Sequence, residues 1–114
     1  MDKNKFSWPF SKHRQSWIAT GDRLISEAAD DLEDGGGGQP LTPKHYRQYR
    51  RAARKYEKSA NCYRKAGLGA MALASWQDAA ECWAAIGDAK EFARCEQEEL
   101  SIDVYWEEDE NDAA

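Results

Sequence analysis

A chain of 114 residues, 41% hydrophobic and 32% charged, has apolar material for one small domain, which argues against disorder of the whole chain and leaves no length for a second core. No apolar run approaches transmembrane length, and the basic start MDKNKFSWPFSKHR lacks the apolar stretch and small-residue cleavage site of a secretory signal. The three cysteines show no CxxC spacing, so neither a disulfide framework nor a zinc motif is expected. These features predict a cytoplasmic protein with reduced, buried thiols and no membrane partner. Its net charge of −5 is unevenly spread: residues 44–65 hold nine Lys or Arg against Glu57, whereas residues 77–114 hold thirteen acids against Lys90 and Arg94.

In chain order, residues 1–34 read as an aromatic segment followed by a helix. Phe6, Trp8 and Phe10 bracket Pro9, and the expectation is a mobile start of about eight residues with Ser7 or Ser11 capping the helix. Trp17, Gly21, Leu24, Ala28 and Leu32, with Ile18 and Ile25 beside them, form that helix's apolar stripe. Residues 35–41, within DGGGGQPL, form a glycine-rich linker that cannot hold regular structure. Residues 42–106 then form the main helical domain, and the acidic tail 107–114 is expected to be disordered.

Thr42-Pro43 is a helix start: threonine can cap free amides, and proline occupies the first turn without losing a needed donor. The helix that follows is predicted to reach about Ala66, with Tyr46, Tyr49, Ala53, Tyr56, Ala60 and Tyr63 on its packing face. A third helix is predicted over about 69–86. A fourth from Ala89 is expected to bury Phe92, Cys95 and either Leu100 or Ile102, with its end near Tyr105-Trp106 left open by an alternating Ile102, Val104, Trp106 pattern.

The strongest pattern occurs twice. Tyr56, Ser59, Ala60, Cys62, Tyr63 and Gly67 are matched 20 residues later by Trp76, Ala79, Ala80, Cys82, Trp83 and Gly87. Spacings of three, four and seven put each set on one helical face, and each glycine follows where a helix should stop. Small residues admit a neighbouring backbone while aromatics fill the space on either side. Tyr56, Ala60, Tyr63, Trp76, Ala80 and Trp83 are therefore expected to carry the packing.

The run W-x-x-A-A-x-x-W-x-x-x-G-D at 76–88 resembles the first helix and turn of a tetratricopeptide repeat, and AAECWAAIGDAKEFARC is similar to the hairpins of soluble NSF attachment proteins and coat-protein solenoids. The resemblance covers residues 49–96. It implies stacked helical hairpins in a non-catalytic interaction scaffold. The copies recur after 20 residues where that family repeats after roughly 34, Phe92 stands where a small residue is expected, and no proline closes the unit. An open array needs about three repeats. The expected fold is therefore all-α: a compact bundle of three to four antiparallel helices, with the N-terminal helix capping a tetratricopeptide-like hairpin.

Arg47, Arg50, Arg51, Arg54, Lys55 and Lys58 lie mainly opposite the tyrosine stripe and form the first candidate binding face. Such a face suits an acidic protein or phosphates; the alternative is a solvated face, paired within the molecule to the acidic fourth helix or tail. The negative net charge ranks a protein partner ahead of nucleic acid. Phe6, Trp8 and Phe10 form the second candidate face, with coverage of the bundle's open end as the alternative. The glycine joint also permits a homodimer by helix swapping.

No catalytic residue, metal ligand or cofactor is indicated. His13 and His45 are isolated in sequence, and no Ser, Cys or carboxylate pair has a nucleophile or acid–base setting. Gly67-x-Gly69-x-x-Ala72 lacks the preceding strand of a dinucleotide fingerprint, and Asp30–Gly35 fails as a calcium loop because Leu32 takes a ligand position. Three functions remain: an adaptor, chaperone-like or complex subunit recognising a protein through helix faces; a small inhibitor or immunity-type protein acting through its acidic surface; or a nucleic-acid module using the basic helix 44–65.

Overall fold

The computed structural model describes residues 2–33 and 41–102, with side chains from His13 onward. These residues form an all-α bundle of four helices in the order α1 (Asp2–Leu32), α2 (Pro43–Lys65), α3 (Gly69–Ala85) and α4 (Ala89–Leu100). The tail, Tyr105-Trp106 and nearly all of the glycine linker lie outside the described residues, as do the side chains of Phe6, Trp8 and Phe10.

The first expectation to be corrected is the helix start, expected at Ser7 or Ser11. The helix begins at Asp2 and passes straight through Pro9. Proline removes one amide donor and crowds the carbonyl of Lys5, but a single loss of that kind need not end a helix, and neither Ser7 nor Ser11 opens this one.

Successive helices are antiparallel. Along α1 and α2, Arg14 donates to the Ala66 carbonyl (2.8 Å), Ser59 donates to the Gly21 carbonyl (2.9 Å), and Lys55 pairs with Asp31 (2.8 Å). One index rises as the other falls. Glu57 accepts from Trp83 while Tyr63 clusters with Leu68 and Ala72, which runs α3 back along α2. Glu57 to Arg94 and Arg64 to Glu98 then set α4 parallel to α2. The central helix α2 therefore touches each of the other three.

The repeat governs the core. Every matched position on the helices is buried: Tyr56, Ser59, Ala60, Cys62 and Tyr63 in α2, and Trp76, Ala79, Ala80, Cys82 and Trp83 in α3. Ala28 of α1 and Cys95 of α4 join them with no exposure at all, and Trp17, Ile18, Ile25 and Ile102 pack around Leu68 and Ala72 at the other end. Two members of the expected stripes fall outside. Tyr46 is 39% exposed, because it lies one turn from the helix start where α3 has already ended, and Leu100 is 81% exposed. Ile102, seven residues beyond Cys95, falls on the buried side instead.

The helix ends repeat as faithfully as the faces. Gly67 (φ +79) and Gly87 (φ +72) each stand just past a helix. In both turns the glycine N–H donates to the carbonyl three residues back (3.0 Å), and the next residue donates to the carbonyl of Tyr63 or Trp83 (2.9 Å). This paired bonding is a Schellman closure, which needs a left-handed residue at the glycine position. Asp88 closes α3 through its backbone and opens α4 through its side chain, accepting from the Glu91 amide at 3.1 Å. At the start of α2, Thr42 accepts from the His45 amide and His45 Nδ1 accepts from the Thr42 amide, a capping box with histidine in the usual place of Glu or Gln. A Cβ at Gly87 would meet nothing within 4 Å, so Gly87→Ala isolates backbone strain. It should cost about 1 kcal/mol in urea denaturation; an unchanged midpoint would mean that the left-handed turn is not required.

Candidate functional site

On α2 the residues Arg47, Arg51, Arg54, Lys58, Asn61 and Lys65 recur at steps of four and three, which aligns them along about 27 Å of helix. All six are exposed. They occupy the face opposite Tyr56, Ala60 and Tyr63, and the core behind them fixes the helix that presents them.

The neighbours of this ridge sort its members. Lys55 is turned toward α1, three-quarters buried, with Nζ 2.8 Å from Asp31 and 3.8 Å from Glu27; Arg51 lies 3.9 Å from Asp31. Arg54 holds its guanidinium 5.5 Å from the centroid of the Trp83 ring, a cation–π contact that anchors its stem. Among the described residues, Arg47, Arg50 and Lys58 make no ion pair. Internal pairing of the basic stretch thus runs chiefly to α1, while α4 takes Arg64 through Glu98 at 2.9 Å. Lys55 belongs to the α1 contact, and the free ridge is narrower than the sequence alone suggests.

One further cation, from α1, joins the face. Arg23 of α1, bonded to Glu27 at 2.6 Å, and Lys65, over the Trp17 ring at 4.4 Å, line an open groove between α1 and α2 with Lys55, Lys58 and Asn61. The groove encloses about 550 Å³. Lys65 lies seven residues beyond Lys58 and was there to be found by extending the ridge; Arg23 carried no such signal, since its place depends on how α1 is rotated against α2.

The groups with chemical potential are held quiet. All three cysteines are free and buried. Burial, with Asp78 and Glu81 nearby, pushes the Cys82 thiol up to about 12, and burial with the Glu57 charge does the same for Cys95. Burial also raises Cys62. Protonated thiols are poor nucleophiles. Tyr63 is pushed up to about 12 by burial and by donating its hydroxyl to Asp22. His13 is exposed and His45 is committed to the α2 cap. Among the described residues no three His, Cys, Asp or Glu gather as a metal site, and no helix is long and apolar enough to cross a membrane. What the surface offers is a fixed row of cations beside a groove, which suits recognition of an anionic surface. No protein family, curated protein or solved structure gives a match to this chain.

Proposed function

We propose that this chain is a non-catalytic protein-interaction module, an adaptor or complex subunit of tetratricopeptide-like character, which recognises an acidic protein surface through the outward ridge of α2. The observation that supports the reading is the ridge itself. Arg47, Arg50 and Lys58 are exposed and lack ion pairs among the described residues, on a helix whose opposite face carries Ala53, Ala60 and Tyr63 into the core. Their desolvation on binding has no internal pair to break, and their common direction steers an anionic partner before contact. Net charge of −5 opposes the long-range attraction to polyphosphate that a nucleic-acid module relies on.

The test is affinity capture from native extract with nuclease present, comparing the wild-type chain with a variant carrying Arg47→Glu, Arg50→Glu and Lys58→Glu. These exposed changes should leave stability within about 1.5 kcal/mol. A protein captured in stoichiometric amount should survive nuclease and fall by roughly tenfold or more with the variant. Recovery of nucleic acid alone, lost with nuclease, would transfer the ridge to the nucleic-acid reading.

A further inference from the structure

On the side of the bundle away from the basic ridge, α1, α2 and α3 enclose a second cavity of about 270 Å³, open to solvent and lined by Leu32, Tyr49, Tyr56, Asp78, Glu81 and Cys82. It is smaller than the roughly 300–1,000 Å³ of drug-sized ligand sites, which fits one side chain better than a whole metabolite. Among the described residues no cation lines it. Asp78 and Glu81 make no ion pair among the described residues.

Tyr56 is the second observation. Its side chain is core, only 8% exposed, yet its hydroxyl makes no hydrogen bond among the described residues, whereas the hydroxyl of the other fully packed tyrosine, Tyr63, is bonded to Asp22. The Tyr56 oxygen is not sealed in the core; it remains open to whatever enters the cavity that Tyr56 lines. The described residues of that cavity include carboxylates and no cation.

We infer that this cavity receives the cationic side chain of an arginine or lysine from a partner protein, its charge held by Asp78 and Glu81, its stem against Tyr49 and Tyr56, and the Tyr56 hydroxyl available to it. Two acids and two phenol rings are the combination that favours a desolvated cation, through charge-assisted hydrogen bonds and the negative ring faces. Burial and the neighbouring Glu81 raise the Asp78 carboxyl above its ordinary value, and burial, with the Asp78 charge beside it, raises Tyr56. An entering cation relieves both. The inference stands apart from the α2 ridge, which attracts the opposite charge.

The test needs no knowledge of the partner. A short capped peptide with one arginine would be titrated into the full chain and followed by amide and tyrosine-ring NMR, beside the same peptide with citrulline, its neutral isostere, and beside free agmatine. The arginine peptide should give saturable shifts centred on Tyr49, Tyr56, Asp78, Glu81 and Cys82, with citrulline weaker by roughly tenfold or more. The Asp78→Asn, Glu81→Gln double variant should lose the effect while remaining folded, because it removes an unpaired acidic pair. Tyr56→Phe should weaken it roughly threefold. Absence of saturable shifts, or equal binding of citrulline, would overturn the proposal. Agmatine binding tenfold tighter than the peptide would assign the cavity to a small free amine and overturn the partner side chain as its occupant.

Discussion

Replacing Gly21 with leucine should destabilise the fold by more than about 3 kcal/mol, and even Gly21→Ala should cost about 1–2 kcal/mol. Propensity alone says the opposite, since alanine in a helix interior is better than glycine by about 1 kcal/mol. Space decides against it. A Cβ at Gly21 would lie 2.9 Å from Tyr63 Cε1 and 3.0 Å from Cζ, well inside van der Waals contact. The ring cannot swing away, because Tyr63 is 1% exposed and its hydroxyl is bonded to Asp22, the next residue on α1. Ser59 donates to the Gly21 carbonyl at 2.9 Å, so two side chains of α2 pack directly on the α1 backbone at the glycine. Urea denaturation reads the outcome. A Gly21→Ala chain stabilised by about 1 kcal/mol, as propensity alone predicts, would mean that this approach of the two helices is wrong.

The same glycine shows where sequence reading stops. Periodicity identifies the face that a helix buries, and it put Gly21 in the stripe with Leu24 and Ala28. It does not give the rotation of one helix against another, so nothing in the spacing marks Gly21 as the place where Tyr63 and Ser59 of α2 meet the α1 backbone. The repeat was legible because both halves of its signal are local: apolar spacing within a helix, and a glycine where the chain must turn left-handed. Thr42-Pro43 was legible for the same reason. Lys55 was not, because its pairing depends on Asp31 and Glu27 arriving from 24 to 28 residues away in the chain. Nor was the cavity lined by Tyr49 and Tyr56, which depends on how Leu32 of α1 and Asp78, Glu81 and Cys82 of α3 come together beside α2. The candidate cations were visible as a row; which of them are free was not.

Trp83 should be the most sensitive side chain of the core, with Trp83→Ala costing about 3–5 kcal/mol. Volume is one part of this, since Trp83 is the largest of the fully buried side chains at 1% exposure. Polar contact is the other. Its indole N–H donates to Glu57 at 2.7 Å, and the same carboxylate oxygen takes Arg94 at 2.7 Å while Arg54 covers the ring. Glu57 therefore ties α2 to α3 and α4 at one atom. Glu57→Ala should cost about 2–3 kcal/mol, below the value for a fully buried pair because Arg94 is 42% exposed and can turn to water. Trp76 separates the two contributions. It holds the equivalent position to Tyr56 in the repeat, is 3% exposed, and its N–H has no partner among the described residues. Trp76→Phe removes an unsatisfied donor along with some volume, whereas Trp83→Phe also strips Glu57 of a hydrogen bond, so Trp83→Phe should be worse by about 1 kcal/mol. A Glu57→Ala, Trp83→Phe double-mutant cycle should return a coupling of about 1–2 kcal/mol. Equal losses for the two phenylalanine variants with zero coupling would mean that the aromatics act by volume alone and that the Glu57 contacts contribute nothing to holding α4 in place.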